Sequence, residues 1–451
     1  MPSRSILFHA MAKRNIELLL VNASELIPCD GPATGVAGAA LQRLEVLRDG
    51  AVAIDAGRIV AVGDTVDLIA RHEAQTTIDC AGHLVSPGLV DPHSHLVFGG
   101  SRHLEHEYKM TQRAPATRLD GGIRFTVART RETDDATLTH RALADLDTML
   151  EQGTTTLEAK TGYGLLPDDE LRLLRLTLGL RHAIKIEPTF LALHALPEGW
   201  ADRRSDYVAM MAEMLPDVAR QVRWCDVFCD PVGFTAAECA TLGQQALALG
   251  MQLRVHADQF GDAGGAALAA RLGAASADHL DHSPPEAIAA MAQAGCVGIY
   301  LPGVALHLAE MTPRFVEDGL APPAKAHLPI AVRQAIAQGL VAALSTDYNP
   351  GSCPMPSMPM VMVLASRLFR LSYAEIWQMA TINAAASLGL GADRGSLAPG
   401  KRADLVIWSV PEHGMVINRF GINCVNTVIA DGRVVVQDGR RVVGPNPAAP
   451  H

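Results

Sequence analysis

Between residues 86 and 395 the sequence alternates short apolar runs with Ala- and Leu-rich segments of helical length, and this alternation limits the possible folds most strongly. It predicts parallel βα units. Eight such units over about 310 residues are typical of a (β/α)₈ barrel, an α/β fold whose functional groups gather at the carboxyl ends of the strands. The eight candidate strands are GLVDPHSH, TTTLEAK, IKIEPTFLALHA, WCDVFCD, QLRVHAD, SADHLDH, CVGIYLPG and VAALSTDYNPG.

The segments on either side of the predicted barrel have a different character. Residues 16–85 contain short β-type runs divided by Gly and Asp turns, and residues 396–451 return to similar runs. The simplest architecture joins both segments in one small β-sandwich domain, so that the barrel at 86–395 lies between its two halves. Residues 1–15 are predicted to form an extension outside both domains.

Composition limits the partners of the chain. Its formal net charge is −10, and Lys and Arg never cluster for long, so no nucleic acid is expected. No uninterrupted apolar run reaches membrane-spanning length, and no membrane partner is expected. The eight cysteines follow no disulfide-framework spacing, which indicates reduced thiols in the core. These features predict a globular cytoplasmic enzyme.

The most specific chemical signal is a histidine pair at the end of the first candidate strand, in Asp91-Pro92-His93-Ser94-His95. Strand residues two apart point to the same side, so His93 and His95 are able to bind one metal ion together. In an arbitrary sequence such a pair is more often a surface or core feature. Its position at the mouth of a predicted barrel favours a metal site.

Two later strands supply the remaining ligands. His256 ends the run LRVHAD, and Asp347 ends the run VAALSTD. Three neutral imidazoles and one carboxylate suit a single Zn²⁺ or Fe²⁺ ion with a position left for water. Such an ion lowers the pKa of its water, and Asp347 is predicted to take the proton from that water and return it to a leaving nitrogen.

Three further polar residues end barrel strands. His279 is a further ligand or, as the favoured alternative, a group that polarises and orients the attacked atom. His194 is placed better to touch a substrate than a metal. Lys160 is either a carboxylated lysine that bridges two metals or, as favoured, a partner in a salt bridge or hydrogen bond within the barrel.

Three motifs resemble those of the imidazolonepropionase family, over about residues 16 to 440. The first is His93-Ser94-His95-Leu96-Val97-Phe98-Gly99-Gly100-Ser101-Arg102. The second, similar to the family's Lys-Ser-Gly-Tyr-Gly segment, is Lys160-Thr161-Gly162-Tyr163-Gly164-Leu165. The third, similar to the family's Thr-Asp-x-Asn-Pro-Gly loop, is Thr346-Asp347-Tyr348-Asn349-Pro350-Gly351-Ser352.

The resemblance implies an amidohydrolase barrel, a homodimer and the metal ligands His93, His95, His256 and Asp347. It implies hydrolysis of 4-imidazolone-5-propanoate to N-formimino-L-glutamate in histidine degradation. A carboxylate grip by Arg102 and an anion cradle from the Asn349 side chain with two backbone N–H groups agree with a propionate tail. The full set of implied substrate contacts is Arg102, Tyr163, His194, Gln259, His279, Asn349, Gly351 and Ser352.

The exact ring stays open at this point. The family's Gly-Ala-His-Ala segment is here Ala192-Leu193-His194-Ala195, close to the predicted pocket. One alternative is the hydrolysis of 3-(5-oxo-2-thioxoimidazolidin-4-yl)propanoate in ergothioneine catabolism, and another is an aminohydrolase acting on a similar small heterocycle. A barrel that binds or serves as a scaffold without catalysis is the least favoured reading, because every expected ligand is present.

Overall fold

The computed structural model describes residues 13–111, 121–311 and 322–442, together with the backbone of 314–316 and 319–321. Its strands, numbered β1 to β19 in chain order, are Arg14–Leu26, Leu47–Asp55, Arg58–Asp64, His72–Asp79, Leu84–Pro87, Leu89–Asp91, Thr154–Lys160, Lys185–Leu193, Trp224–Cys229, Gln252–Ala257, Ser276–His279, Val297–Tyr300, Arg314–Val316, Gly319–Ala321, Ala342–Leu344, Leu405–Trp408, Val425–Ala430, Arg433–Gln437 and Arg440–Arg441.

Helices with local capping signals connect most of the barrel strands. Proline occupies the first turn of several of them, where its missing N–H costs nothing, and Thr235 and Glu238 form a capping box at one start. The helices, α1 to α16 in chain order, are Thr65–Arg71, His103–Thr111, Gly122–Glu132, Asp135–Glu151, Pro167–Gly179, Arg204–Glu213, Leu215–Ala219, Ala236–Ala248, Gly265–Leu272, Pro285–Ala294, Pro302–His307, Leu328–Ala337, Met358–Leu368, Tyr373–Met379, Ile382–Ser387 and His413–Asn418.

The eight candidate strands form one parallel sheet in the order β15-β12-β11-β10-β9-β8-β7-β6, which confirms the predicted barrel. The two end strands meet beyond their carboxyl ends. The Asp347 N–H donates to the His93 carbonyl at 3.0 Å, and the His95 N–H donates to the Tyr348 carbonyl at 2.8 Å. The Asp91 carboxylate also accepts from the Thr346 N–H at 3.0 Å. The barrel therefore closes through the residues that carry the predicted chemistry.

Both ends of the chain build one β domain, as predicted. Its nine strands form a single mixed sheet, β19-β18-β17-β16-β5-β1-β2-β3, in which β4 pairs with β1. Apolar residues from β1, β2, β5, β16 and β17 share one core. The first strand begins at Arg14, inside the predicted extension, while residues 1–12 lie outside the described part of the chain. The domain boundaries at residues 85 and 396 stay a prediction.

Within the described residues, no helix has both the length and the apolar character that crossing a membrane requires.

Candidate active site

The four side chains assigned to a metal by the sequence meet at the carboxyl end of the barrel, and we call them the imidazole cluster. The Nε2 atoms of His95 and His256 lie 3.4 Å apart. Asp347 Oδ1 lies 3.4 Å from His93 Nε2 and 3.6 Å from His95 Nε2. All four side chains are buried. They belong to β6, β10 and β15 or follow them directly, so barrel closure brings them together.

Two residues here adopt a backbone conformation that is uncommon for residues with a side chain. The φ angle of Asp347 is 50° and that of His279 is 74°, both in the left-handed region. The Asp347 N–H is bonded across the barrel seam, and the N–H of Leu280 donates to the Ala257 carbonyl at 3.0 Å. Backbone strain of this kind collects at functional sites when the surroundings hold it in place.

Carboxylates behind the cluster determine which imidazole nitrogen faces the centre. Asp278 Oδ2 lies 2.6 Å from His93 Nδ1, and Asp226 Oδ2 lies 3.1 Å from His256 Nδ1. An ionised carboxylate only accepts hydrogen bonds, so the proton of each neutral imidazole belongs on Nδ1. The Nε2 lone pairs of His93 and His256 are then directed at the centre of the cluster.

Burial is the main cause of the protonation states in this cluster. It lowers the pKa values of His93 and His95 well below their usual range, with added repulsion from Lys160 and His194. It raises the pKa of Asp347 to about 7, against the attraction of His256. His93 and His95 are therefore neutral at pH 7, and a cation beside them would favour the ionised form of Asp347.

The donor set fits a divalent cation. His93 Nε2 is buried and has no hydrogen-bond partner among the described residues, so its lone pair is unused and faces the other ligand atoms. The ligand atoms of His93, His95 and His256 all lie within 4.8 Å of one another. Buried polar atoms are rarely left without a partner unless they serve an ion, a water or a reaction.

A cavity of about 360 Å³ opens beside the cluster, and His95, His256 and Asp347 form part of its wall. His93 lies behind them. Apolar side chains, among them Phe228, complete the lining. All the substrate contacts implied by the resemblance also line this one cavity: Arg102, Tyr163, His194, Gln259, His279, Asn349, Gly351 and Ser352.

His194 lies against the cluster without belonging to it. Its ring stacks on the ring of His95 with centroids 5.1 Å apart. Because the Gly162 carbonyl, 2.8 Å from His194 Nδ1, only accepts a hydrogen bond, that nitrogen carries the proton and Nε2 is left as an acceptor. Gly162 has a φ of 113°, and a Cβ there would lie 2.8 Å from His194 Nδ1. Glycine is therefore required at this approach.

His279 lies close enough to act in either of its two predicted roles. Its ring centroid is 5.6 Å from the ring centroids of His93 and His256. Ligand atoms of His93, His279 and Asp347 also lie within 4.8 Å of one another. Burial, followed by repulsion from His256, lowers the pKa of His279 well below its usual range, so this imidazole is also neutral.

The loop after β15 differs from the anion cradle that the sequence predicted. The N–H groups of Gly351 and Ser352 both donate to Asn349 Oδ1 at 2.8 Å. They are therefore not free to bind a substrate anion. The loop instead supports Asp347, because Ser352 Oγ donates to Asp347 Oδ2 at 3.2 Å and Asn349 Nδ2 donates to the Asp347 carbonyl at 2.6 Å.

Arg102 lines the same cavity as part of an ion-paired group, which we call the arginine mouth and which comprises Arg102, Glu105 and Lys109. Arg102 Nε and Nη2 donate to the two Glu105 oxygens at 2.7 and 2.6 Å. Lys109 Nζ also lies 2.6 Å from Glu105 Oε1. A Cβ on Gly351 would lie 1.8 Å from Arg102 Nη1, so only glycine permits this close approach.

Sequence reasoning missed several partners of the site. Asp226, Asp278 and Glu105 were given no role, and neither was Lys109. A signal for Asp226 was present, because it is a charged residue inside the otherwise apolar strand β9. The short strand of Asp278, Ser276–His279, is mostly polar and gives no such signal. Glu105 lies in the first turn of α2 and follows Arg102 by three residues, a spacing at which opposite charges meet.

The model of the amidohydrolase family matches residues 84–435, which include the whole barrel. The chain therefore belongs to the amidohydrolase family.

Several similar curated proteins share one name. A protein named imidazolonepropionase from Symbiobacterium thermophilum is 41% identical over 440 residues, which are 95% of this chain and 99% of that protein. Proteins of the same name from Solibacter usitatus and Geobacillus kaustophilus are each 40% identical, over 92% and 88% of this chain and 98% and 92% of their own lengths. The resemblance to the imidazolonepropionases drawn from the motifs is thus confirmed.

Solved structures of lower identity support the fold. An adenosine deaminase from Xanthomonas campestris with bound zinc aligns with a TM-score of 0.69 at 21% identity, over 96% of this chain and 95% of that chain. An atrazine chlorohydrolase from Arthrobacter aurescens complexed with zinc aligns with a TM-score of 0.66 at 20% identity, over 95% and 97%. At these identities the likeness concerns the fold alone.

Proposed function

We propose that this chain hydrolyses the ring C–N bond of 4-imidazolone-5-propanoate to give N-formimino-L-glutamate, a step of histidine degradation. The observation that carries the proposal is one cavity lined both by His95, His256 and Asp347 of the imidazole cluster and by Arg102. The near full-length similarity to proteins named imidazolonepropionase supports the same reaction.

The cofactor is one divalent cation, Zn²⁺ or Fe²⁺. His93, His95 and His256 would hold it through Nε2, together with the Asp347 carboxylate. When bound, the cation acidifies a water molecule and polarises the ring carbonyl. The neutral state of His93 and His95 suits them as ligands, because a protonated imidazole has no lone pair to offer.

Asp347 is the proton carrier in this proposal. Its Oδ1 faces His93 and His95, whereas its Oδ2 faces the loop and accepts from Ser352 Oγ. The two oxygens are thus in different environments. Oδ2 accepts a proton from the attacking water and returns it to the ring nitrogen as the C–N bond breaks. His279 lies beside the cluster and stabilises the charge that develops on the carbonyl oxygen.

The remaining contacts orient the substrate. Arg102 binds the propionate carboxylate, for which a guanidinium fork is the best-matched side chain. Tyr163, Gln259 and His194 line the ring end of the cavity with hydrogen-bonding atoms. The Nε2 of His194 is available as an acceptor for a ring N–H. Asn349, Gly351 and Ser352 complete the wall next to Asp347.

The direct test is a turnover assay of purified protein whose metal content has been measured. Freshly generated imidazolone propionate and its 2-thioxo counterpart are supplied side by side, with ring absorbance, formimino-glutamate and sulfide followed. We expect ring opening of the first substrate and formation of formimino-glutamate. Preference for the thioxo ring with release of sulfide would contradict the proposed substrate, and turnover of neither ring would contradict the proposed reaction.

Two further properties belong to the proposal. All eight cysteines are buried, free thiols, which suits a reducing cytoplasm. The homodimer implied by the family resemblance stays a prediction. Light scattering of the purified chain is expected to give twice the 47.9 kDa chain mass, and a monomer at working concentration would contradict it.

A further inference from the structure

Behind the imidazole cluster lies a buried group of charged side chains to which the proposed reaction gives no role. Lys160 Nζ lies 2.6 Å from Asp226 Oδ2 and 2.9 Å from Glu158 Oε1. It also lies 3.5 Å from Asp278 Oδ2. Arg254 Nε lies 3.1 Å from the same Glu158 oxygen, and all five side chains are inaccessible to solvent. Charges buried to this extent need partners throughout.

Lys160 is an ammonium group in this arrangement. Two carboxylate oxygens within 2.9 Å of Nζ require hydrogen-bond donors there, whereas a carboxylated lysine would present a further anion. Burial lowers the pKa of Lys160, and the charges of Asp226 and Glu158 outweigh that effect and raise it. The alternative of a carboxylated lysine bridging two metals therefore does not fit this chain.

Two of the carboxylates touch both Lys160 and the imidazole cluster. The same oxygen of Asp226 that contacts Lys160 Nζ lies 3.1 Å from His256 Nδ1. The Oδ2 atom of Asp278 lies 2.6 Å from His93 Nδ1 and 3.5 Å from Lys160 Nζ. The Lys160 ammonium group is thus connected to two imidazoles through one carboxylate each. Asp278 leads to His93, which follows β6, and Asp226 leads to His256 in β10.

We propose that Lys160, Asp226 and Asp278 form a positioning unit that directs Nε2 of His93 and His256 at the metal site. The inference rests on the proposed function, since it assumes that these imidazoles bind the cation. Asp226 and Asp278 hold the rings in one tautomer and one orientation. Lys160 keeps the two carboxylates together, because without it they would repel each other in a medium that screens charge poorly.

His95 provides a contrast within the same cluster. Its Nδ1 is buried and, among the described residues, forms no ion pair with a carboxylate. Its ring is held by stacking on His194. The positioning unit therefore acts on two of the three imidazoles, and its loss should distort the metal site without removing a ligand.

The test measures metal binding by metal-free protein rather than turnover. Zn²⁺ affinity is determined by competition with a chromophoric chelator for the wild type and for Asp226→Asn and Asp278→Asn. Each variant is expected to bind Zn²⁺ about 10- to 100-fold more weakly, the usual effect of losing a carboxylate behind a ligating histidine. The visible spectrum of the Co²⁺-loaded protein is expected to change in both variants, because it reports the geometry of the ligands.

The chain offers a matched control in a second buried ion-pair group. Lys325 Nζ lies 2.7 Å from Asp281 Oδ2 and 2.8 Å from Glu310 Oε2. Within the described part of the chain, this group forms no ion pair with the imidazole cluster. Asp281→Asn and Lys325→Met are expected to lower the melting temperature while leaving Zn²⁺ affinity within about 3-fold of the wild type. A loss of affinity in the control equal to that in Asp226→Asn would show a general effect of destabilisation and overturn the proposal.

Lys160 is tested with Lys160→Met, alone and combined with Asp226→Asn. If Lys160 acts through the carboxylates, Lys160→Met alters the Co²⁺ spectrum and the second substitution adds less than its separate effect on Zn²⁺ affinity. An unchanged spectrum in Lys160→Met, or effects that multiply fully, would contradict its role. A wild-type protein that binds no divalent cation would instead overturn the proposed function itself.

Discussion

The imidazole cluster and the arginine mouth contribute to one cavity but are built by opposite means. Every member of the imidazole cluster is buried, and the contacts of His93 with Asp278 and of His256 with Asp226 use Nδ1, away from the centre. In the arginine mouth, the Arg102 fork is already paired with Glu105, whose further partners include Lys109, with 43% of its side chain exposed. Among the described residues, the cluster presents the unpaired Nε2 of His93, whereas the arginine mouth presents groups that already have partners.

This difference implies that the imidazole cluster and the arginine mouth have separate roles. The imidazole cluster is pre-organised, so the positions of the reacting groups are set before any ligand enters. At the mouth a substrate carboxylate has to share or displace Glu105, which reduces the net gain from binding. The chemistry should therefore depend steeply on the cluster, and the mouth should act mainly on substrate affinity.

The largest expected effect is that of Asp347→Asn. The amide removes an anionic ligand and the proton acceptor together, so kcat should fall by at least about 10⁴-fold. Circular dichroism and thermal unfolding should show an intact fold, since the loop bonds to the Asp347 carbonyl do not need the carboxylate. Near-normal turnover in this variant would remove Asp347 from the mechanism.

His279→Ala separates the two roles left open for this histidine. If it stabilises charge on the carbonyl oxygen, kcat should fall by about 10²- to 10³-fold while the bound metal stays at the wild-type level. Atomic absorption on the dialysed protein gives the metal content, and steady-state kinetics gives kcat. Loss of the metal along with activity would make His279 a ligand instead.

Arg102→Ala should act on binding. Loss of a charge-assisted, two-pronged hydrogen bond is expected to raise KM by about 10- to 100-fold with a smaller change in kcat. The propionamide analogue of the substrate serves as the comparison, and Arg102→Lys, which keeps the charge and loses the fork, should be intermediate. Equal losses for the acid and the amide would discredit the carboxylate grip.

The smallest effect concerns ionic strength. Exposed charges are screened by salt much more than buried ones. Raising NaCl from about 0.05 to 0.5 M should therefore raise KM by a few fold through the arginine mouth, while kcat and bound metal stay constant. A fall in kcat without a change in KM would contradict the assignment of chemistry to the imidazole cluster and of substrate affinity to the arginine mouth.

The fold and the candidate ligands could be read from the sequence because their signals are local. Strand runs, the His93-Ser94-His95 spacing and strand-end positions each need only a few neighbouring residues. The partners of those ligands are different. Asp278 and His93 are 185 residues apart in the chain, so only the closed barrel shows that they touch. The sequence therefore indicated the candidate ligands but not the residues that orient them.

Irregularities of the backbone could not be predicted from the sequence either. The Ala-rich run AEIWQMATINAAASLGL is typical of one continuous helix, yet α14 ends at Met379 and α15 begins at Ile382. The reason is a tertiary contact, because the Ala380 carbonyl accepts a hydrogen bond from the Val90 N–H of β6 at 3.0 Å. The left-handed conformation of Asp347 likewise depends on barrel closure. Glu105, by contrast, was detectable from its helical spacing to Arg102.

The most direct test of hydrolysis by a single bound cation is turnover measured as a function of bound metal. Metal-free protein is titrated with Zn²⁺ or with Fe²⁺ under anaerobic conditions, and the rate of ring opening of imidazolone propionate is plotted against cations bound per chain. We expect no activity without metal, then a linear rise of the rate and a plateau at one cation per chain. Full activity of the metal-free protein, or a need for two cations per chain, would contradict this expectation.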